Sequence, residues 1–408
     1  MRHKLLLIIL ALLTGTVPLT AQRSRQETRV ALRALGVPFY EDCSVELLPT
    51  AKVKFDALFE EIRQAQKYVH MDYFKFQDDS ICSELFLLLA RKVKEGVSVK
   101  VLFDDVGNKY SDLPLRRAML DTLRNQGVEI FPFDKMRFPW VNHLFHRDHH
   151  KIVVIDGHCA YTGGMNITDY YLYGKPSIGE WRDMHMRLSG PIVAGYEHIF
   201  NVMWYDVTGQ FLPDAPASNF LPNGDISMAM VSRMPNQQSS NMRDAIAAAI
   251  DNAQECIQIV NPYSTLTRTV RQALYRALQR GVKLQFMVSY NGDAPVAQNV
   301  QAIEMHKLMK RGAEIYYYEN GFHHGKEMMI DNDFCFVGTT NMDGRSLRND
   351  YEVSAFIFDQ TTTAQLQEIF RQDIERHCFL LTPEVWKERF STGTRFVGRL
   401  FTPIRSSL

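Results

Sequence analysis

The sequence predicts an α/β protein made of two tandem α/β sandwich domains, each a mixed sheet flanked by helices, related by a pseudo-two-fold axis. The chain has 408 residues, a length that accommodates two or three domains. Both halves alternate strand and helix patterns in a βαβ order. Glycines that close equivalent helices recur at an offset of 185 residues, Gly96 with Gly281 and Gly127 with Gly312. These observations predict two copies of one unit.

Each copy is predicted to run strand, helix, strand, helix. In the first copy these patterns lie at residues 45–48, 55–62, 68–74 and 85–94. In the second copy they lie at residues 228–231, 243–250, 256–263 and 270–279. The glycine after each second helix is typical of a helix C-terminus, and a further strand and helix follow. Because a symmetric pair presents each residue twice, one site built from both halves is expected.

The chain is predicted to divide into an N-terminal segment, 1–21, two units, 22–212 and 226–408, and a linker rich in proline at 213–225. The segment begins with basic residues and continues with nine apolar residues, 5–13, which favours a signal peptide cut after Ala21. An uncleaved anchor is the alternative. A spanning helix takes about 20 apolar residues, so the run is short for one. The mature chain is therefore expected outside the cytoplasm, membrane-associated or periplasmic.

Composition narrows the class of protein. Lys and Arg number 46 and Asp and Glu also number 46, so the net charge is zero. Nucleic-acid binding usually needs a basic excess, and no nucleic acid is expected as a partner. Six cysteines show neither close pairing nor ligand spacing, which indicates buried thiols rather than a disulfide framework.

The chemistry that occurs twice is a His-x-Lys-x4-Asp motif, found as His149, Lys151 and Asp156 and again as His324, Lys326 and Asp331. Gly163 and Asn166 follow the first motif at the same spacing as Gly338 and Asn341 follow the second. The offset here is 175 residues, because the first half carries ten additional residues between Gly127 and His149, around residues 136–140.

These residue types suit phosphodiester chemistry. Two lysines neutralise the negative charge that repels a nucleophile. Neutral imidazole attacks phosphorus and charged imidazole protonates a leaving alkoxide, so two histidines supply both roles. Asn166 and Asn341 offer amide donors for phosphate oxygens. The histidines at 143, 146, 149 and 150 leave zinc as an alternative, which the paired lysines disfavour.

The paired motif resembles that of the phospholipase D superfamily, and flanking residues resemble its bacterial cardiolipin synthase branch. Those residues are Trp181-Arg182-Asp183, Gly190-Pro191-Ile192-Val193 with Trp204, and the run from Gly338 to Asn349 with Glu352-Val353. The resemblance covers nearly the whole mature chain. One departure is that the branch usually starts with two membrane-spanning helices, whereas this chain has only the signal-like run.

The resemblance implies a phosphohistidine intermediate and no metal or nucleotide cofactor. By analogy His149 is the nucleophile and His324 the general acid, although the reverse assignment stays open. Asp183 and Glu352 occupy the position of the carboxylate that orients a histidine, 34 and 28 residues beyond the histidine of their own half. Asp156 and Asp331 belong to the motif and are expected to brace the strand and turn.

The predicted reaction is phosphatidyl transfer between two phosphatidylglycerol molecules, giving cardiolipin and glycerol. The alternatives are a phospholipase D hydrolase that releases phosphatidic acid, a secreted nuclease or phosphodiesterase, and a non-catalytic protein that binds surfaces. The oligomeric state stays open.

Two segments are candidates for contact with a membrane surface. One is the ten-residue insert, where Phe138, Trp140, Leu144 and Phe145 lie beside Arg137. The other is the C-terminal tail, where four arginines alternate with apolar residues and no acid occurs from Arg389 to Leu408. An ordinary packed loop and a solvated helix are the alternatives.

Overall fold

A computed structural model describes residues 19–134, 146–213, 220–235 and 241–407 of the chain. The first half contains the strands β1 Phe39–Leu48, β2 Tyr68–Tyr73, β3 Ser98–Asp104, β4 Glu129–Phe133, β5 Lys151–Ile155, β6 Cys159–Gly163, β7 Glu180–Arg182 and β8 His185–Ser189. The second half contains the strands β9 Ile226–Arg233, β10 Cys256–Val260, β11 Lys283–Ser289, β12 Glu314–Tyr318, β13 Gly321–His323, β14 Glu327–Ile330, β15 Phe334–Gly338, β16 Glu352–Phe358 and β17 Cys378–Leu380.

The helices alternate with these strands as the sequence pattern predicts. In the first half they are α1 Leu19–Ala34, α2 Ala51–Gln64, α3 Ser80–Lys94, α4 Asp105–Lys109, α5 Arg117–Asn125, α6 Tyr170–Tyr173 and α7 Ile192–Thr208. In the second half they are α8 Met242–Asn252, α9 Arg268–Gln279, α10 Pro295–Met309, α11 Gln360–His377, α12 Pro383–Arg389 and α13 Thr392–Phe401, followed by a 3-10 turn, Thr402–Ser407.

Fifteen of the described strands form one continuous sheet, in the order β17-β12-β11-β10-β14-β15-β16-β9-β1-β8-β6-β5-β2-β3-β4. Read outward from the central antiparallel pair β1 and β9, the first seven strands in each direction repeat the same topology, and β17 adds an antiparallel edge strand to the second half. Each half has a parallel trio, β2-β3-β4 or β10-β11-β12, joined to antiparallel strands that lead back to the centre. The prediction of two α/β units with mixed sheets is confirmed.

Helices cover both faces of the sheet and enclose three apolar clusters. One cluster lies under α2 and α3 in the first half, and a second lies under α8 and α9 in the second half. The third cluster joins both halves, because it contains side chains of α7, of α11 and of strands from the two halves. The two halves therefore share a core across the central strand pair.

Helix α1 packs on the second half, although the predicted unit 22–212 places it with the first. Leu32 of α1 lies in the cluster with α8, and the guanidinium of Arg25 is 2.7 Å from the carboxylate of Asp333. Strand β1 pairs with β9 of the second half. Helix α1 directly precedes β1 and therefore lies over that half. The helix begins at Leu19, so the predicted cut after Ala21 would fall in its first turn.

Several predictions fall on residues outside the described ranges. These are the apolar run 5–13, the insert around 136–140 with His143, and residues 214–219 of the linker 213–225. Within the described ranges, no helix combines the length and apolar character needed to cross a bilayer. All six cysteines are unpaired thiols; four are buried as predicted, whereas Cys256 and Cys378 are only half-buried.

Candidate active site

One cavity of about 260 Å³ is lined by residues from both halves of the chain. His149, Asn166 and Trp181 come from the first half, and His324 and Asn341 come from the second. Sequence reasoning predicted one site made from equivalent residues of both halves. The structure brings four of the predicted residues, two histidines and two asparagines, to the wall of one cavity.

The imidazole of His149 is held by a carboxylate from the other half. Its Nδ1 lies 2.9 Å from Oε1 of Glu352, and the Thr339 hydroxyl donates to the second carboxylate oxygen. Glu352 is the first residue of β16 and is fully buried. A carboxylate on Nδ1 fixes the tautomer with hydrogen on that nitrogen, which leaves the lone pair on Nε2 for chemistry.

His324 is held in the same way by the first half. Its Nδ1 lies 2.7 Å from Oδ2 of Asp183, which follows β7 and is 2% exposed. The sequence analysis assigned each acid to the histidine of its own half. The structure corrects this assignment, because each acid contacts the histidine of the other half. Neither histidine is oriented until the two halves are together.

Backbone pairing across the halves explains the exchange. Strands β7 and β13 pair in parallel, and the N–H of His324 donates to the carbonyl of Arg182 over 2.6 Å. On the other side, the N–H of His149 donates over 3.0 Å to the carbonyl of Tyr351, the residue before Glu352. Each histidine segment therefore lies beside the segment that carries the opposite acid.

The two motif lysines lie next to their histidines. Lys151 Nζ donates to the carbonyl of His149 over 2.8 Å, and Lys326 Nζ donates to that of His324 over 2.5 Å. Both lysines are almost fully buried, and burial lowers the pKa of Lys151 to about 8 and that of Lys326 to about 7. Two buried cations close to one cavity favour an anionic ligand there.

The positive charge also acts on the histidines. Burial first, and then the neighbouring lysines, lower the pKa of His149 well below its usual range. The same causes lower the pKa of His324 to about 4, although Asp183 opposes the shift. Both imidazoles are therefore neutral near pH 7 before an anionic ligand binds. An anionic phosphodiester in the cavity would raise both pKa values, because it favours the charged form.

The two asparagines provide unused polar atoms. Asn166 and Asn341 are 4% and 5% exposed, and the side-chain carbonyl oxygen of each is buried with no hydrogen-bond partner among the described residues. Buried polar groups are normally paired, so unpaired acceptors on a cavity wall indicate a ligand that carries hydrogen-bond donors such as hydroxyl groups. Gly338, three residues before Asn341, has no room for a side chain, because a Cβ there would lie 2.1 Å from the Ser354 hydroxyl.

The motif aspartates do not line the cavity. Asp156 accepts the backbone N–H groups of Gln66, Lys67 and Tyr68, and Asp331 accepts those of Gln254, Glu255 and Cys256, all at 2.7–2.8 Å. Both aspartates have a φ of 52° in the turn of a hairpin, a left-handed conformation that Asp tolerates. The four residues between lysine and aspartate thus span the strand from cavity to turn.

A charged network beneath His149 was missed by the sequence analysis. Arg147 and Asp104 are fully buried and form an ion pair, with Nη2 2.8 Å from Oδ2. The same carboxylate accepts the N–H of Asp148 over 3.0 Å, which fixes the segment just before His149. In the second half, Ser289 accepts the N–H of His323 over 2.8 Å, and the nearby ion pair is a different one, Arg182 with Asp373 at 3.3 Å. The supports of the two histidines therefore differ.

His150 is also part of this network. Its Nδ1 lies 3.0 Å from Asp148 and 3.4 Å from Asp72, and these two carboxylates raise its pKa to about 10 despite burial. His149 and His150 therefore contact different partners, while His143 of the zinc alternative lies outside the described residues. Asp72, Asp148 and His150 have metal-ligand spacing, but none of them lines the cavity.

Other cavity residues also escaped sequence reasoning. Lys75 follows β2, and Asp293 follows β11 and accepts a hydrogen bond from the hydroxyl of Tyr263. Their positions after predicted strands could have identified them, because ligands of parallel α/β sheets bind at the carboxyl ends of the strands. Asp343 and Arg345 belong to the run that carries the resemblance, although neither was predicted as a site residue.

The chain matches known proteins over most of its length. The family described as "Cardiolipin synthase, PLD-like domain" matches residues 58–204 and 246–374. A cardiolipin synthase of Listeria monocytogenes is 32% identical over 376 residues, 90% of this chain and 77% of the relative. The major cardiolipin synthase of Bacillus subtilis is 33% identical over 342 residues, 82% of this chain and 70% of the relative.

Solved structures agree on the fold. The phosphatidylserine synthase of Haemophilus influenzae superposes with a TM-score of 0.72 at 16% identity, over 93% of this chain and 98% of that one. Identity at that level shows the shared fold alone. The matches in sequence go further, and with both halves matched the chain belongs to the cardiolipin synthase family of the phospholipase D superfamily.

Proposed function

We propose that the chain catalyses phosphatidyl transfer from one phosphatidylglycerol molecule to another, giving cardiolipin and glycerol. The observation that carries the proposal is the exchanged pair of histidine–carboxylate contacts on one cavity wall. The names of the relatives support cardiolipin as the product. Two oriented imidazoles and two buried lysines can supply the nucleophile, the acid and the charge neutralisation that the reaction needs.

In the first step His149 Nε2 attacks the phosphorus of the donor lipid. The phosphorus–oxygen bond to the glycerol headgroup breaks, and His324, protonated once the anionic lipid is bound, gives its Nε2 proton to the departing oxygen. The product is a phosphatidyl group on His149 and free glycerol. Lys151 and Lys326 neutralise the charge that builds on the phosphate oxygens, and Asn166 and Asn341 supply amide donors.

In the second step a hydroxyl of the acceptor phosphatidylglycerol attacks the phosphohistidine. His324, now neutral, takes the hydroxyl proton as the new phosphorus–oxygen bond forms and the bond to His149 breaks. His324 is then protonated again, as it was before the first step. The reverse assignment of the two histidines exchanges these roles without changing the products.

Product analysis tests the proposal. Purified chain with labelled phosphatidylglycerol is expected to accumulate cardiolipin and glycerol in equal amounts, measured by mass spectrometry of the lipids and enzymatic assay of glycerol. Aromatic rings of Phe74, Tyr170, Trp181 and Tyr263 line the cavity, a lining that favours a lipid alcohol over water as the acceptor. Phosphatidic acid as the sole lipid product would instead identify a hydrolase.

We expect the free-enzyme rate constant kcat/KM to fall with rising pH, because His324, whose pKa is about 4, must gain a proton before it can act as the acid. The fall should become steeper above about pH 7, where Lys326 also loses its proton. The ammonium is the form that binds phosphate, it exists below the pKa, and burial lowers the pKa of Lys326 to about 7. Lys326→Arg keeps its charge at every accessible pH. In this variant the steeper fall should move to higher pH, at a reduced overall rate.

The matched control is Lys52→Arg, at a side chain that is 78% exposed on α2. Its pH profile should equal that of the wild type. If the steeper fall of kcat/KM in Lys326→Arg occurs over the same pH range as that of the wild type, another group causes it.

We also propose that the chain works outside the cytoplasm at a membrane surface. The basic start and the apolar run at 5–13 support export. N-terminal sequencing of the protein recovered from cell fractions is expected to begin at Gln22 in a fraction outside the cytoplasm. An intact Met1 in a membrane fraction would favour the uncleaved anchor.

A further inference from the structure

The last helix of the chain exposes an apolar stripe. Phe396 and Leu400 of α13 are 66% and 60% exposed, and Ile404 in the following 3-10 turn is 51% exposed. The spacing of four residues places the three side chains along one side of the segment. Large exposed apolar side chains arranged contiguously mark an interaction surface more often than single ones do.

The opposite side of α13 is fixed to the body of the protein. Gly398 is buried against α10, where a Cβ would lie 2.2 Å from the carbonyl oxygen of Asn299 and 2.7 Å from Ile303. Trp386 and Phe390, just before α13, are buried in the core of the second half. The stripe is therefore held in a defined place.

That place is next to the mouth of the cavity. Asp293, Ala294 and Ala297 line the cavity, and α10 begins at Pro295. Val296 in this first turn is 39% exposed, and Asn299 and Ile303, which contact Gly398, follow within two turns. Helix α10 thus connects the mouth of the cavity with the stripe.

The charge around the stripe is positive. Arg395, Arg399 and Lys310 all lie close enough to His306 to lower its pKa, and no acidic residue follows Glu388 in the sequence. Arg395 makes hydrogen bonds only to Ser391 and Thr392 among the described residues, and no acidic partner is described for Arg399. Exposed apolar residues beside basic ones are the pattern of a segment that lies in the interface of an anionic bilayer.

We propose that Phe396, Leu400 and Ile404, with Arg395 and Arg399, dock the enzyme on a bilayer of anionic phospholipid and hold the cavity mouth at its headgroups. The inference rests on the proposed function, because a phosphatidylglycerol substrate makes the anionic bilayer the partner. A protein partner would need acidic complementarity, whereas lipid supplies both the apolar layer and the negative charge.

Tryptophan quenching tests the placement directly. In the full chain, Phe396→Trp is compared with Leu87→Trp, a control at a side chain that is 69% exposed on α3. Vesicles of phosphatidylglycerol with brominated acyl chains are expected to quench the tryptophan at 396 and leave the one at 87 unchanged, each relative to wild type. Because the readout is local, attachment through the N-terminal segment does not mimic it.

A second measurement is vesicle partition of the Phe396→Ser/Leu400→Ser double variant. Its affinity for phosphatidylglycerol vesicles should fall about tenfold or more, since two large apolar side chains are lost. Its turnover of dispersed short-chain phosphatidylglycerol should stay at the wild-type level. Loss of that turnover in both proteins would count against the proposed function and leave the docking result standing.

Three outcomes would overturn the docking proposal. The first is no quenching at position 396 in any vesicle. The second is equal quenching in pure phosphatidylcholine vesicles, which removes the role of the arginines. The third is burial of the new tryptophan through self-association in vesicle-free solution, which identifies the stripe as an interface between copies of the chain.

Discussion

His149→Ala and His324→Ala are each expected to lower turnover of phosphatidylglycerol by about 1,000-fold or more, because each removes a group that makes or breaks a bond to the reacting atoms. The carboxylates that hold the two imidazoles stay in place in both variants. Initial rates with labelled phosphatidylglycerol measure the loss. His198→Ala, at an exposed position on α7, is the matched control and should keep wild-type activity.

The same two variants separate the nucleophile from the acid. A phosphatidyl ester of p-nitrophenol, labelled at phosphorus, carries a leaving group that departs without protonation. With this donor, His324→Ala should still acquire covalent label and release p-nitrophenolate, whereas His149→Ala should acquire none. The opposite pattern would reverse the assignment. Label on neither variant, with wild type labelled normally, would contradict a single phosphohistidine.

Arg147→Ala is expected to lower the free energy of unfolding by about 3–5 kcal/mol, since it leaves the Asp104 carboxylate buried without its cation. Urea denaturation followed by circular dichroism measures the change. Arg117→Ala is the control, because its guanidinium is 94% exposed and lies 3.6 Å from Asp121. Such surface pairs contribute about 0–1 kcal/mol.

The double variant Asp104→Leu/Arg147→Met tests the cause. Removing both charges should cost less than the sum of the two single changes, because no unpaired ion stays buried. Additive losses would mean that packing, rather than the ion pair, accounts for the effect. The residual activity of the double variant then reports how far Asp104 positions His149 through the N–H of Asp148.

The sequence identifies the repeat and the chemistry of the site well. Strand and helix patterns recur in register, so the parallel trio of each half and the hairpin after each motif follow from local preferences. The His-x-Lys-x4-Asp spacing places a lysine at the start of a strand and an aspartate in its turn. The likeness of Asp183 and Glu352 to orienting acids is also visible, since both follow their motifs at similar distances.

The partners of those acids are not visible in the sequence. Distance along the chain favours Asp183 with His149, whereas the structure pairs Asp183 with His324 and Glu352 with His149. The exchange depends on backbone bonds between β7 and β13 and between the segments at 148 and 351. Such contacts join residues up to about 200 positions apart, where no local pattern acts.

By itself, then, the sequence determined two copies of one α/β unit and the residue types that carry phosphoryl transfer. Periodicity and motif spacing are local properties, and each half repeats them. Only the tertiary structure decided which acid orients which histidine, that different ion pairs lie beside the two histidine segments, and that an apolar stripe lies beside the cavity. Those features arise where the two halves and the last helix pack together, because burial, pairing and exposure exist only after that packing.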